Sequence, residues 1–424
     1  MTDGYFFKYM RSLLGDRYDA FVDAYENKPR RKALRVNTSK TDAAEFVRSA
    51  DFVQARNALC ENSFYCDVKP SLDPLYHAGL YYMQEPSASA AVAAFSPFIG
   101  ERVLDLCAAP GGKATQAAEY MRGGTLFCND GEYKRTRALV ENIERLGISN
   151  AVVTCNTAKD YAEAGFIGYF DTVIADVPCS GGGMMRYETV PYSPEIVSGC
   201  AARQRVILED AVKLLRGGGY MLYSTCTFAK EENEDNIEFL HKLGMNAVDI
   251  PLPNGAERWI DQPHARRIYP MNFDGEGHFY CVLQKRTDAA GNRPAARKKR
   301  GKVKFAGLTL ETAEIFGRTI VDFDLPDTSG LNVIRAGTAV YGDGKDPSHA
   351  LTHALSAAQA ALFGTVELGD SAAAYIRGEQ LDASAPTGML IATCKGHALG
   401  LVKSAPTGDG TRALKNRYPK YLRV

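Results

Sequence analysis

The chain of 424 residues is 45% apolar and 24% charged, and its 50 Lys and Arg balance its 50 Asp and Glu. That length exceeds one ordinary core and implies two or more domains, while the composition excludes proline-rich and cysteine-rich special classes. The start, MTDGYFFKYMRSLLGD, has no long apolar stretch behind a basic end and no run of eighteen apolar residues follows anywhere, so neither a secretory signal nor a membrane span is expected, and a cytoplasmic location is.

Residues 1–75 combine an amphipathic start with strand-like pieces such as ALRVNTSK and a basic run, NKPRRKALR; they imply no fold by themselves. From about residue 80 to 286 the pattern alternates: VLDL, AAPGGK and a helical ATQAAEYM; TLFCND and a helical EYKRTRALVENIERLG; AVVTC; DTVIAD; a long helix around AARQRVILEDAVKLL; GGGYMLYSTC; and GHFYCVLQK. Strand, turn and helix in repetition predict an α/β fold, a mostly parallel sheet with helices on both faces. Thr287 to Lys304 is polar, basic and rich in Ala, Gly and Pro, and reads as an exposed linker that is able to touch phosphates. Beyond it, PSHALTHALSAAQAAL carries helix signals, and GMLIATCKG and HALGLVKS carry strand signals. The expected boundaries are 1–75, 76–286, 287–304, 305–366 and 367–424.

Ten cysteines occur without a CxxC pair or a Cys/His cluster, which predicts free thiols, mostly in the core, and no structural zinc. His77, His278 and His349 likewise have no metal-ligand spacing.

Three motifs carry chemistry. In VLDLCAAPGGK, Val103 to Lys113, an apolar strand enters a glycine turn and then a helix, which matches neither GxGxxG nor GxxxxGK[ST]. Ligands of open parallel sheets lie beyond the carboxyl ends of the strands, and Asp130 ends the next strand, where a carboxylate can accept ribose hydroxyls. An adenosine cofactor without a required pyrophosphate fits, and S-adenosylmethionine is the expected one. In ADVPCSGGG, Asp176 and Cys179 follow another strand, and YSTCTF puts Cys226 at the end of a third. On one sheet edge, two thiols and an acid then face the cofactor. A thiolate adding to carbon 6 of a cytosine makes carbon 5 able to take a methyl group, a carboxyl group near nitrogen 3 stabilises the charge formed, and a second cysteine can assist release.

DLCAAPGGK, DVPCSGGGMMR and YSTCTF, in that order, resemble the Nop/Sun family of RNA 5-methylcytosine methyltransferases, as do LYYMQEPSASA before them and RIYP with GEGHFYCVLQK after them, so the likeness runs from about Arg35 to Lys285. DPSHALTHAL and LKNRYPKYLR resemble the C-terminal modules, the last PUA-like, of the bacterial branch that methylates small-subunit ribosomal RNA. The resemblance implies a doubly wound, Rossmann-like class I methyltransferase core with an N-terminal RNA-binding extension. It implies Cys226 as nucleophile, Cys179 as releasing residue and Asp176 as the acid that contacts the base. It also implies a cofactor pocket lined by Cys107, Ala108, Ala109, Pro110, Gly111, Gly112, Lys113, Asp130 and Asp176, supported by Arg135 and Asn142. Where the family offers an acid after the third strand, this chain reads VTCNTA, leaving Asn156 or Thr157 for the adenine side. The expected partner is small-subunit ribosomal RNA, naked or assembled, for a monomer that binds neither membrane nor DNA. A transfer RNA substrate, or an idle site in an RNA-binding assembly factor, is the alternative. A cut near Arg286 is expected to leave cofactor binding intact.

Overall fold

The computed structural model describes residues 4–186, 191–259, 261–287, 298–305, 307–342, 345–382, 385–407 and 412–423. Labels below cover the ten-stranded central sheet and the helices that bear on the site. The parallel strands are β1 (Arg102–Asp105), β2 (Thr125–Asn129), β3 (Ala151–Thr154), β4 (Phe170–Asp176) and β5 (Leu215–Thr225). Their near-continuous apolar runs follow from burial on both faces. Phe127 and Val152 point into one core with Tyr161, Phe166 and Leu208, while Leu126, Cys128 and Val153 point into the other with Ala114, Leu139 and Ile143. Period-two alternation therefore feeds two helical layers, as a doubly wound fold requires.

The remaining strands are β6 (Met245–Ala247), β7 (Ala256–Trp259), β8 (Gln262–Ile268), β9 (His278–Lys285) and β10 (Val333–Ala336). The order is β7-β8-β9-β5-β4-β1-β2-β3-β10, with β6 on β9. β1 pairs in parallel with both β2 and β4, so the order reverses there and opens a crevice beyond their carboxyl ends. Only the five central strands are parallel; β9, β8 and β7 add antiparallel beside β5, and β10 adds antiparallel to β3. The sheet is thus mixed rather than mostly parallel, because short returns join β7, β8 and β9 and cannot make a crossover.

Helices α1 (Tyr5–Leu14) and α2 (Tyr18–Asn27) open the chain, and a four-stranded antiparallel sheet follows them. The described part of 1–75, residues 4–75, which implies no fold by sequence, packs directly against the central sheet's helices. Arg35, 1% exposed, donates to Gln84 and Thr115 and pairs with Glu119.

The C-terminal part differs from the linker expectation. Residues 288–297 lie outside the described residues, but Lys299–Phe305 is a strand paired with Leu308–Ile315, and its cations meet acids: Arg300 on Asp322 at 3.1 Å and Lys302 on Glu311 at 2.8 Å. Alternating Lys and apolar residues in KRGKVKF suit an edge strand, where Lys discourages further pairing. Nor is the next segment detached, since β10 extends the central sheet. The helix signals in PSHALTHALSAAQAAL resolve into His349–Ala354 and Ala357–Phe363, separated by the Ser356–Gln359 capping box. Gly388–Cys394 and His397–Pro406 are the two expected strands, in a five-stranded sheet.

Candidate active site

The turn after β1 is built from main-chain hydrogen bonds. The Ala108 N–H donates to the Asn129 carbonyl at 2.7 Å, Ala109 N–H to Asp130 Oδ2 at 3.3 Å and Cys107 N–H to Asp105 Oδ1 at 3.3 Å. Ala109–Pro110 is cis, and Gly111 at φ +119° takes the left-handed conformation that lets α3 (Gly112–Tyr120) start at once. Helix α4 (Tyr133–Arg145) braces the turn from behind: Arg135 donates to the Ala109 carbonyl at 2.7 Å and Asn142 to that of Pro110 at 3.0 Å.

Three carboxyl groups converge at this edge. Asp130, 2% exposed, also accepts from the Glu132 N–H and lies 3.3 Å from Arg135. Asp176 accepts from Ser224 at 2.7 Å and pairs with Lys113 at 2.8 Å. Burial pushes the Asp176 carboxyl up, but Lys113, His278 and its hydrogen bonds outweigh this and hold it below its ordinary value. Asp105 is fully buried and its Oδ2 has no partner among the described residues. Burial, then the neighbouring Asp176, pushes its carboxyl up to about 8. An acidic edge with an orphaned carboxyl oxygen suits a cationic ligand, and the sulfonium and ammonium groups of S-adenosylmethionine supply that charge. The residues present therefore fit the expected cofactor.

The two thiols meet at the same edge. Cys179 Sγ lies 3.1 Å from Cys226 Sγ, both half-buried and both free. Its hydrogen bond to Cys226, followed by burial, pushes the Cys179 thiol well above its ordinary value, and either sulfur can be the donor in that contact. The turns that carry them are tied at the next residue: Ser180 Oγ and Thr227 Oγ1 are 2.8 Å apart. Beneath them Glu232, fully buried, accepts from both the N–H and the hydroxyl of Ser180, and from Gln204 at 2.8 Å. Gly183 donates to the Cys226 carbonyl at 2.8 Å, and a Cβ on Gly183 would come within 2.8 Å of that oxygen, so only glycine allows the approach.

Helices α1 and α2 roof these turns. Phe21 packs edge-on to Phe228 at 5.7 Å, and Tyr9 donates to Glu231 at 2.6 Å while it accepts from the Lys230 N–H at 2.8 Å. On the neighbouring strand, Phe279 pairs with Thr225, so the register puts His278 opposite Cys226. Burial, then Lys113, holds the His278 imidazole down to about 3, which makes it neutral, and its Nε2 has no partner among the described residues.

Asn156 and Thr157 sit at the carboxyl end of β3 with their side chains engaged. Asn156 exchanges hydrogen bonds with the main chain of Asn332, at 3.2 and 3.0 Å, which anchors the approach to β10. Thr157 caps α5 (Ala158–Glu163) in a capping box with Asp160. Sequence reasoning brought Cys107 to Lys113, Asp130, Asp176, Cys179 and Cys226 to one edge, and the structure unites them. It missed Asp105, Glu232, Asn129 and His278. Asn129 joins Leu106, Thr154 and Asn156 across three strand ends, and its place just before Asp130 was the available signal. No group of three or more potential metal ligands occurs among the described residues.

Comparison with known proteins bears on this geometry. Residues 92–284 match the family described as 16S rRNA methyltransferase RsmB/F, residues 4–86 the N-terminal domain of 16S rRNA methyltransferase RsmF, and residues 364–424 the methyltransferase RsmF PUA domain. "Ribosomal RNA small subunit methyltransferase F" of Vibrio vulnificus strain YJ016 is 33% identical over 337 residues, which cover 74% of this chain and 70% of that one. The protein of that name from Escherichia coli O157:H7 is 34% identical, over 70% of this chain and 66% of its own. Among solved structures, a methyltransferase homolog from Pyrococcus horikoshii superposes with a TM-score of 0.59 at 27% identity, over 66% of this chain and 94% of that one. NSun6 from Pyrococcus horikoshii, solved with SFG, an S-adenosylmethionine analogue, shares the fold at a TM-score of 0.58 and 20% identity, over 66% of this chain and 97% of that one.

Proposed function

Because the chain belongs to the RsmB/F family of 16S rRNA methyltransferases, we propose that it moves the methyl group of S-adenosylmethionine to carbon 5 of a cytosine in small-subunit ribosomal RNA, through a covalent adduct with Cys226. The observation that carries this reading is the thiol pair, 3.1 Å apart at the sheet edge that also bears the Cys107 to Lys113 turn and three carboxyl groups.

Cys226 attacks carbon 6 of a cytosine turned out of its stack as a thiolate, and the proton it gives up is balanced by the one that nitrogen 3 takes up. The electron pair of the 5,6 double bond moves into the ring, and the neutral adduct's N3–H donates to the Asp176 carboxylate, which Lys113 holds in place. When bound, the cofactor supplies the electrophilic methyl group that the nucleophilic carbon 5 accepts. Cys107 to Lys113, Asp130 and the orphaned Asp105 oxygen are the groups proposed to hold it, braced by Arg135 and Asn142. The carbon 5 proton then leaves to water, its bonding pair restores the 5,6 double bond, the carbon 6 to sulfur pair returns to Cys226, and nitrogen 3 gives back the proton it took up. Cys179, 3.1 Å from Cys226, stabilises the departing sulfur by donating a hydrogen bond to it.

The RsmF-type PUA domain at residues 364–424 supports RNA as the substrate. The test is to incubate the purified protein with 16S ribosomal RNA, free or in small subunits, and methyl-labelled S-adenosylmethionine. The expected result is label in 5-methylcytosine at a discrete position on bisulfite mapping. Label in any other nucleoside, or none with either substrate, overturns the reading.

A further inference from the structure

His278 stands at the edge that bears the thiols and has no part in the steps assigned to them. Its orientation follows from strand periodicity. Val103, Ile174, Leu222, Tyr280 and Val282 point into the core that also holds Ala114 of α3. Two residues further along β1, β4 and β5, Asp105, Asp176 and Ser224 face the same side, and so does His278, two residues before Tyr280 on β9. Strand order then lays these groups out from the cofactor turn: Asp105 on β1, Asp176 on β4, Ser224 on β5 and His278 on β9. Cys226 follows β5, between the strands that carry the acid and the imidazole.

The ring is held in place and left incomplete. His278 is 3% exposed, and its main chain is fixed from both sides: the Gly277 N–H donates to Ser87 Oγ at 3.1 Å, Phe279 pairs with Thr225, and His278 itself stands opposite Ile268 on β8. Lys113 and Asp176 both act on the imidazole, so the ring lies within reach of that ion pair, yet its Nε2 has no partner among the described residues. A buried ring nitrogen without a partner costs the fold stability, and such groups persist where a ligand completes them. Burial, then Lys113, keeps the ring neutral. With its proton on Nε2, a neutral imidazole is a donor without charge.

The cytosine above Cys226 has one acceptor that Asp176 cannot serve, the oxygen on carbon 2. As the thiolate adds, the electron pair displaced from the 5,6 bond reaches nitrogen 3, and until that atom takes up its proton the charge is shared with this oxygen. A donor placed there binds the transition state more tightly than the free base. We propose that His278 is a further catalytic residue, whose Nε2–H donates to the carbon 2 oxygen of the cytosine while Asp176 holds the nitrogen 3 edge. The proposal rests on the covalent reading of Cys226 given above.

The test uses the full chain carrying Cys179→Ala, in which a covalent protein–RNA band reports addition. The substrate is 16S ribosomal RNA ligated to carry cytidine or 2-thiocytidine at the mapped position, because sulfur is a weak acceptor. His278→Phe should slow band formation on cytidine about tenfold, and His278→Gln, whose amide reaches about as far as Nε2, should restore most of the rate. 2-Thiocytidine should slow the chain that has His278 about tenfold more than it slows the phenylalanine variant. His278→Leu repeats the comparison with a smaller side chain, so that a poorly folded phenylalanine variant does not decide the result. A role in the fold alone would slow both RNAs equally, so an equal 2-thiocytidine penalty with and without His278 overturns the proposal. So does band formation at the parental rate in both variants; slowed release of tritium from carbon 5, with Cys179 intact, would then mark the ring as the acceptor of that proton instead. No band in any variant, with no label in 5-methylcytosine from the parent chain, refutes the covalent reading and this one with it, whereas rates that ignore His278 refute this one alone.

Discussion

The sulfurs of Cys179 and Cys226, 47 residues apart in the chain, stand 3.1 Å apart, and their hydrogen bond, followed by burial, holds the Cys179 thiol well above its ordinary value. The sulfur proposed to attack thus has a second thiol within donating distance.

Opposite phenotypes follow for the two cysteines. Cys226→Ala should bind RNA and cofactor yet neither methylate nor cross-link, because addition never begins. Cys179→Ala should add and methylate once, then stall with RNA attached through Cys226. A denaturing gel with labelled RNA and S-adenosylmethionine separates them: a slow protein–RNA band is expected only for Cys179→Ala. A band in Cys226→Ala instead reverses the roles.

Asp105 should oppose stability while it serves binding. Its carboxyl titrates at about 8 in the fold against about 3.9 in an unfolded chain. Between those values the folded state holds the extra proton, so this group's contribution to stability falls as pH rises towards 8. Asp105→Asn should therefore raise the melting temperature at pH 8 more than at pH 5, and weaken cofactor binding. In the parent protein, cofactor binding at pH 7 should release a proton, measured by calorimetry in buffers of different ionisation enthalpy. No release, together with unchanged affinity in the variant, removes Asp105 from the site.

Glu232→Ala leaves the Ser180 N–H and hydroxyl and the Gln204 amide without their buried acceptor. The expected cost is about 1–3 kcal/mol of stability. The thiol spacing should loosen too, so that in the Cys179→Ala background the covalent band forms more slowly while cofactor affinity holds. An unchanged rate of band formation would show that Glu232 only stabilises the fold.

By sequence, a cut near Arg286 is expected to leave cofactor binding intact; the contacts that it removes lead to a different prediction. The cut removes β10 from the edge of β3 and the Asn332 main chain from Asn156, so cofactor affinity and melting temperature should both fall. A chain ending at Phe363, which retains β10, should keep cofactor affinity and lose RNA affinity. Calorimetry on the two truncations checks the difference.

What was legible in the sequence followed from local chemistry. A glycine turn after an apolar strand places Cys107 to Lys113, and a thiol directly after a strand places Cys179 and Cys226, because in a parallel sheet those ends share one edge. Glu232 was hidden in the acidic run KEENEDN, where nothing local separates the carboxylate that binds Ser180 from Glu234, buried against Arg267, or from the half-exposed Glu231 and Asp235. β10 was hidden because NVIRA is short and its partner lies some 180 residues earlier, a pairing that strand propensity does not report. Asn156, one of the two residues offered with Thr157 for the adenine side, turns to Asn332 in a segment that the sequence divides off as another module.

The roof over the thiol turns also fixes an order of events during synthesis. Phe6, Phe7, Met10 and Phe21 leave the ribosome first, yet Phe228 and Tyr269, which complete their cluster, are made more than two hundred residues later. At roughly 5–20 residues per second, the apolar face of α1 and α2 waits on the order of ten to forty seconds for its cover. The nascent chain therefore carries this apolar face uncovered until the strand that precedes Tyr269 has been made.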